Sequence, residues 1–241
     1  MLAATCVLVA EQYSVPSEPF WDGIAGGRGH IVGVAVTAIA TFGALTPAQI
    51  WAERSQMARR TAIRHQILHH FGRLLTIAAR VDPPPPAADL GLHVWRVAWS
   101  LRRPHRRLVR MATYRLGSTP TTRAFAPGRG VGVVGLCWQR NEEVAVDVEA
   151  LAAKSTTRAA YEAHVASYGG DAVMNLTWPE FLRVRHRGAV FASPVRDGEG
   201  EFVGCVSVDS SRGFVTLVGD ELWHEINALC VLLGNDGLAH V

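Results

Sequence analysis

Lysine is almost missing from this sequence, and charged residues of either sign are few. Lys154 is the single lysine, and the other cationic side chains are arginines. The charged fraction is 19% and the apolar fraction 49%, a balance that excludes an intrinsically disordered chain. The net charge of +3 is mild, and it fits a membrane orientation signal as well as a polyanionic partner. The preference for arginine is typical of GC-rich coding and indicates a bacterial source.

Cysteine is also scarce, and its spacing argues against the common metal sites. The four cysteines are Cys6, Cys137, Cys205 and Cys230. They form no CxxC pair and no Cys/His pair with the spacing of metal ligands, so we expect buried free thiols in a reducing cytoplasm. His65 and His69 stand four residues apart on a predicted helix, as zinc ligands do, but no third ligand is suitably placed. No metal is therefore expected.

The longest uncharged stretch lies near the amino terminus. Residues 31–52 contain no Asp, Glu, Lys or Arg, and this length is enough for a helix that crosses a membrane. Trp51 stands where an interfacial aromatic residue belongs, several arginines follow it closely, and acidic residues precede the stretch. A buried helix of a soluble protein is the competing interpretation, because threonines, Gln49 and Pro47 dilute the apolar character.

These features predict a membrane region over residues 1–52, with a transmembrane helix at 31–52. Residues 1–10 are apolar but too short to cross a bilayer, and they fit the remnant of a truncated first span. By the positive-inside rule the amino terminus is expected outside and the remainder of the chain in the cytoplasm. The predicted location is therefore the cell membrane.

A long amphipathic helix is predicted directly after this region, over residues 53–81. Its apolar positions recur every three or four residues, and arginines occupy much of the remaining surface. The apolar positions are Met57, Ile63, Ile67, Phe71, Leu74 and Ala78. Such a helix is typical of signalling helices that pair with their own copy, so we expect a homodimer. The proline-rich residues 82–89 end the helix and form a linker.

From Leu90 onward the apolar spacing becomes that of β-strands, first over residues 92–99 and again over residues 108–116. A basic patch lies between these two strands. Its members are Arg102, Arg103, Arg106 and Arg107. The patch fits either a docking surface for protein, lipid or nucleic acid or a solvated hairpin loop. Nucleic acid is not expected, because no aromatic residues are interleaved as stacking platforms and no helix-turn-helix pattern follows.

The glycine-rich run at residues 127–135 has the spacing of a dinucleotide-binding loop. Gly130, Gly132 and Gly135 satisfy the pattern G-x-G-x-x-G. A dinucleotide site also needs a parallel βαβ unit and an acidic residue about twenty positions later. Neither is evident here, so a nucleotide is not expected.

The same glycine-rich run is the start of a resemblance to a known family. Residues 125–147, in which the glycines lead into a short apolar helix and a strand ending in Asp, resemble the middle of a GAF domain. Residues 188–197 and 201–209 resemble the two strands that follow, joined by a Gly-Glu-Gly turn. Residues 219–233 resemble the final helix, with Asp220 at its start as a capping carboxylate.

The resemblance implies an α+β fold over residues 90–233, followed by a tail at 234–241. It implies an antiparallel sheet of five to six strands flanked by helices, and a ligand pocket beneath the connection at residues 151–187. That connection contains aromatic and polar side chains able to stack on a small planar molecule. The predicted ligand-binding residues are Tyr161, His164, Tyr168, Asn175, Trp178 and His186. Packing of the connection itself is the alternative role for them.

The sequence departs from the GAF members with known ligands. It lacks the Asn-Lys pair of cyclic-nucleotide binders, the Cys-His pair of bilin binders and the clustered cysteines of the methionine sulfoxide reductases. The cofactor and the ligand therefore stay unknown. Ser193 and Ser207 have no evident base nearby, so no catalytic residue is expected and the protein is not predicted to be an enzyme.

Two functions follow from these observations. The first is a membrane-anchored cytoplasmic sensor that binds a small molecule in a GAF-like pocket and signals to a partner protein of unknown identity. The alternative is a scaffold that binds no ligand and docks a protein, lipid or nucleic acid through the basic patch.

Overall fold

The computed structural model of the protein describes residues 2–23, 25–100, 103–116, 127–235 and 237–238. Arg102, the first residues of the GAF-like motif and parts of the predicted tail therefore lie outside the described residues. The chain divides into two compact units, Met1–Arg59 and Arg60–Val241.

The first unit is helical. Its elements are α1 (Leu2–Gln12), α2 (Glu18–Gly23) and the first part of α3 (Ala25–Arg80). Trp21 is buried, and its indole Nε1 donates to the carbonyl of Val15 at 3.2 Å. This bond satisfies the polar edge of a large aromatic ring.

The transmembrane helix predicted at residues 31–52 falls within α3. Across the described residues, none of the helices combines the length and the apolar character needed to traverse a bilayer. The predicted span is thus not supported.

The second unit is built on a five-stranded antiparallel sheet. The strands are β1 (Gly91–Ser100), β2 (Arg103–Arg115), β3 (Val144–Asp147), β4 (Ala189–Arg196) and β5 (Phe202–Ser210). Their spatial order is β2-β1-β5-β4-β3, and every neighbouring pair is antiparallel. The predicted α+β class and the predicted antiparallel sheet are confirmed. This arrangement also lacks the parallel βαβ unit that a dinucleotide fingerprint requires.

The remaining helices of this unit lie between the strands in the chain or after the last strand. They are α4 (Gly132–Arg140), α5 (Val148–Lys154), α6 (Arg158–Tyr168), α7 (Trp178–Val184), α8 (Phe214–Leu217) and α9 (Asp220–Asn235). Side-chain caps begin α5 and α6: the carboxylate of Asp147 accepts from Ala150 N at 2.9 Å, and Thr157 Oγ1 accepts from Ala160 N at 3.2 Å. The turn between β4 and β5 is closed by Gly200 at φ +83°, as its glycines predict.

One face of the sheet is covered by the end of α3 and by α9; we call this the α3/α9 core. Ile63, Ile67, Phe71, Leu74 and Ala78 of α3 are all buried in it. From Ile63 onward, the amphipathic stripe predicted to pair with a second copy therefore packs within this unit. Each fully buried Ile, Leu or Phe contributes roughly 2 kcal/mol to stability.

The opposite face is covered by α4 to α7; we call this the cavity-side core. Its sheet residues include Leu108, Val144 and Cys205, and its helical residues include Leu136 and Phe181. Because side chains alternate along a strand, neighbouring residues of β5 serve the two different cores. The sheet is thus a layer between two helical layers.

Candidate ligand-binding site

A cavity of about 80 Å³ lies between the sheet and the helices of the cavity-side core. Four strands, the first turn of α4, α5, α7 and the loop before α7 contribute to its wall. The lining residues are His93, Trp95, Arg110, Pro127, Gly132, Val133, Val134, Val148, Met174, Leu176, Val184, Arg187, Val190 and Ser207. An apolar hollow with a few convergent polar groups is the usual form of a small-molecule site.

The polar side of the cavity is organised by a buried carboxylate behind it. Asp209 is 1% exposed, and its Oδ1 lies 2.9 Å from His93 Nε2. Its Oδ2 accepts from Arg115 Nη2 and from Arg187 Nη1, both at 2.6 Å. Because a carboxylate can only accept, Nε2 of His93 carries the proton. Nδ1 of His93 is hydrogen-bonded to the hydroxyl of Thr113 at 3.1 Å.

Asp209 keeps its charge in spite of this burial. Burial raises the pKa of Asp209, but the hydrogen bond from His93 and the charges of Arg187 and Arg115 outweigh it and hold the pKa at about 2. The carboxylate is therefore ionised at neutral pH. It fixes the positions of His93 and Arg187 at the cavity wall.

Trp95 and Arg110 form a second polar part of the wall. Trp95 Nε1 donates to Ser207 Oγ at 3.1 Å. The guanidinium of Arg110 lies over the indole ring, with its Cζ atom 5.5 Å from the ring centroid, a cation–π contact. The flat face of Trp95 thus positions a positive charge at the cavity.

Strand pairing explains why these residues meet. In the β1–β5 register His93 lies opposite Ser207, and Trp95 lies opposite Cys205. Gly91 lies opposite Asp209, and a Cβ atom at this position would stand 2.3 Å from Asp209 Oδ1. The missing side chain at Gly91 leaves the space that the buried carboxylate and Arg115 occupy.

The residues predicted to bind a ligand have other surroundings. Tyr161 is buried in the cavity-side core, where its hydroxyl donates to the carbonyl of Leu176 at 2.5 Å. Its ring stacks on Phe181 at 5.1 Å between centroids and contacts Trp178 at 5.3 Å. Burial raises the pKa of Tyr161 to about 12, with the nearby charge of Glu180 adding to the effect. Tyr161 and Trp178 therefore contact other side chains of the connection.

The other four predicted residues lie nearer the surface. Tyr168 is 70% exposed, with its ring 4.7 Å from that of His164. Asn175 donates to the carbonyl of Gly130 at 2.9 Å and so ties the glycine-rich loop to the connection. The side chain of His186 reaches the surface, but its surroundings partly desolvate the ring, and this desolvation together with the nearby charge of Arg187 lowers the pKa of His186. Among the described residues that line the cavity, none of the six predicted ones is found, and their role in binding stays a prediction.

The basic patch is only partly described. Arg103 begins β2, and Arg106 and Arg107 are exposed on the same strand. Arg106 lines an open surface depression together with Arg129 and Trp138. Arg106 and Arg107 are therefore accessible, and what the patch contacts stays a prediction.

The connection does cover the cavity, through residues other than the six predicted ones. Met174, Leu176, Val184 and Arg187 come from it, and the first three are apolar. A signal for the sheet residues was present in β1, where His93 and Trp95 alternate with the apolar Leu92 and Val94. Polar and aromatic residues on one face of a buried strand indicate that this face lines a cavity and does not pack into an apolar core.

The architecture matches what the sequence resemblance implies. An antiparallel sheet carries α3 and α9 on one face, and a cavity under a long helical connection lies on the other. The fold is GAF-like.

No protein-family model and no curated protein matches the sequence. Among solved structures, the GAF-like chain is similar to a GAF domain region from Geobacter sulfurreducens PCA, with 16% identity, a TM-score of 0.45, and 78% and 99% of the two chains covered. It is also similar to a Burkholderia vietnamiensis protein described as a GAF sensor, with 13% identity, a TM-score of 0.40 and coverages of 76% and 99%.

An enzyme is also among the similar structures. The type II free methionine-R-sulfoxide reductase of Thermoplasma acidophilum shows 13% identity, a TM-score of 0.39 and coverages of 71% and 94%. At these identities and TM-scores no ligand or activity carries over to this chain.

Proposed function

We propose that this protein is a sensory or regulatory protein whose GAF-like domain binds a small molecule in the cavity between the sheet and α4 to α7. One observation carries the proposal: the cavity has an apolar wall and a preformed polar side, held by the buried Asp209. A preformed site lowers the entropic cost of binding, because its polar groups are already in place. The protein acts without catalysis, and its output is a change in packing.

The route of that change runs through the connection. Met174, Leu176 and Val184 touch the cavity from the connection, so a bound molecule adds apolar contacts to it. A ligand that binds one packing of the connection better than another shifts the population toward it. A partner protein then reads the favoured packing.

The test is ligand-induced thermal stabilisation of the full chain, with native mass spectrometry to find any co-purifying small molecule. A ligand at a hundred times its Kd raises the free energy of unfolding by about 2.7 kcal/mol. Val190→Phe, which fills the cavity, is expected to remove this stabilisation. Val215→Phe is the matched control, because Val215 is 79% exposed on α8.

If Val190→Phe does not fold, Val184→Leu narrows the same cavity by a smaller volume. Equal stabilisation of the wild type and of a folded cavity-filled variant would reject the cavity as the site. Tyr168→Ala is expected to bind as the wild type does, because Tyr168 lies on the surface of α6.

Homodimerisation and signalling to a partner protein belong to this proposal. The location at the cell membrane, expected from the charges around residues 31–52, stays a prediction. Alkaline carbonate extraction checks it, because release into the soluble fraction would contradict a membrane location.

A further inference from the structure

We propose that the ligand of this cavity is a small organic anion, a monocarboxylate with a short apolar chain. The inference rests on the proposed function, since it names the class of molecule for the same cavity. Charge, an unfilled donor and the size of the apolar wall point to this class.

The charge balance at the cavity is positive. Arg110 and Arg187 both line it, and the residues described along its wall include no Asp or Glu. The nearby carboxylate, Asp209, pairs with both Arg115 and Arg187 and accepts a hydrogen bond from each. A ligand carboxylate therefore meets more positive than negative charge, in a partly water-excluded site where charge pairs are stronger than in bulk water.

Arg187 also has an N–H group that is available to a ligand. Its Nη1 donates to Asp209, while within the described part of the chain its buried Nε has no hydrogen-bond acceptor. A buried donor without an acceptor is unfavourable by about as much as a lost hydrogen bond. A carboxylate oxygen bound beside Arg187 would accept from this nitrogen. Guanidinium groups commonly bind carboxylates through two such donors.

The first turn of α4 adds to the same preference. Gly132, Val133 and Val134 line the cavity, and Val131 before them has no side-chain oxygen to cap the helix. The amino-terminal end of a helix carries a partial positive charge. This term supports an anion but would not define a site alone.

The remaining wall selects an organic anion over an inorganic one. Val134, Val148, Met174, Leu176 and Val190 present hydrocarbon, which a nitrate or phosphate ion cannot use. A water-sized position needs about 10–15 Å³ of such volume, so the cavity of about 80 Å³ holds roughly five to eight non-hydrogen atoms. A saturated monocarboxylate of roughly three to six carbons has this size.

The experiment is calorimetric titration of the full chain at pH 7 and constant ionic strength. The probes are acetate, propionate, butyrate, hexanoate and octanoate, with butyramide as the neutral control and nitrate as the inorganic one. Affinity is expected to rise about fourfold per methylene until the cavity is full, and then to fall. Butyramide and nitrate are expected to bind at least about tenfold more weakly than butyrate. Butyramide has no negative charge to pair with the arginines, and nitrate has no hydrocarbon chain to contact the apolar wall.

Two variants test the charged contacts. Arg187→Gln is expected to weaken butyrate binding by about tenfold or more, whereas Arg185→Gln, an exposed arginine on the same segment, leaves it unchanged. Because Arg187→Gln also removes an ion pair with Asp209, Arg110→Gln serves as the second variant. It leaves both arginine pairs of Asp209 intact and is expected to weaken butyrate binding as well.

The outcomes separate this inference from the proposed function. Butyramide binding as tightly as butyrate, and lost in Val190→Phe, would overturn the anion and keep the cavity as a ligand site. Nitrate binding more tightly than every carboxylate would overturn the organic class. Carboxylates binding equally well to Val190→Phe would overturn both the inference and the cavity. Failure of all carboxylates to bind would overturn the inference alone, since stabilisation by other compounds tests the proposed function.

Discussion

Asp209 illustrates how much one side chain arranges in this domain. It is nearly inaccessible to solvent, and it bonds His93 from β1, Arg115 from β2 and Arg187 from the connection. A buried charge of this kind is tolerated only when its partners are complete. Asp209 thus joins strands and connection at the polar side of the cavity.

The stability of the domain should depend on Asp209 in acid. Its pKa is about 2 in the folded protein against an ordinary value of 3.8, so its contribution is complete above pH 3.8 and is lost as the pH falls through 2. The expected loss over this window is about 2 kcal/mol of the free energy of unfolding. Urea unfolding of the wild type and of Asp209→Asn at pH 5, 4, 3 and 2.5 measures it.

The control for this prediction is the difference in the free energy of unfolding between the wild type and Asp209→Asn. At pH 5 Asp209→Asn should be about 3 kcal/mol less stable than the wild type, since it leaves its arginines without their counter-charge. The difference should shrink toward pH 2.5. A difference that stays constant over the whole range would show that Asp209 does not titrate as described.

At the scale of elements, the start of α4 depends on a close approach of backbone to backbone. A Cβ atom on Gly135 would stand 2.1 Å from the carbonyl oxygen of Gly128, and Gly130 N donates to the carbonyl of Gly135 at 2.7 Å. The loop before α4 therefore folds directly onto the helix. This contact holds Gly132 and the valines after it at the cavity.

Gly135→Ala should destabilise the protein by about 2 kcal/mol, because the backbone of the loop has to move away from the new methyl group. Gly72→Ala is the matched control: Gly72 lies in α3 with no atom near its missing Cβ, and alanine there should stabilise by about 0.5–1 kcal/mol. Chemical unfolding of the two variants checks both values. Destabilisation of similar size in both would mean that the close approach at Gly135 is not what matters.

The elements themselves were largely predictable from the sequence, and the cavity was not. Strand alternation predicted β1 and β2, and the Gly-Glu-Gly turn predicted the β4–β5 hairpin. His93 and Asp209 are 116 residues apart, and they meet only because of the β1–β5 register, which a single sequence does not specify.

The aromatic residues of the connection illustrate a second ambiguity. Stacking side chains such as Tyr161 and Trp178 look alike in sequence whether they hold a ligand or each other. In the structure the two rings contact each other, and their role in binding stays a prediction. The same ambiguity applies to the apolar stripe of α3, which fits a dimer and an intramolecular core equally well until its partner surface is known.

At the scale of the whole molecule, the described cysteines lie in different parts of the chain, so their reactivity can be used to probe how each part opens. Cys6 is exposed in the first unit, Cys137 and Cys205 are buried in the cavity-side core, and Cys230 is buried in the α3/α9 core. Burial raises the pKa of Cys205 and raises that of Cys230 to about 12, so neither thiol is reactive in the folded protein.

Alkylation with iodoacetamide at pH 8, followed by mass spectrometry, should modify Cys6 first. The other three thiols should react slowly and together, because the two cores share β4 and β5 and open as one cooperative unit. Guanidinium chloride should make all four react rapidly, which is the control for intrinsic reactivity. Modification of Cys230 well before Cys137 and Cys205 would show that the two cores open separately.

The shared strand β5 gives the sheet a further property. Val206 rests against the α3/α9 core while its chain neighbour Ser207 borders the cavity. A molecule that displaced Ser207 would therefore also displace Val206, because the two residues are joined by one peptide bond. Only the backbone of β5 separates a molecule in the cavity from the α3/α9 core. A shift of this strand would therefore reach α3 and α9 without a hinge motion.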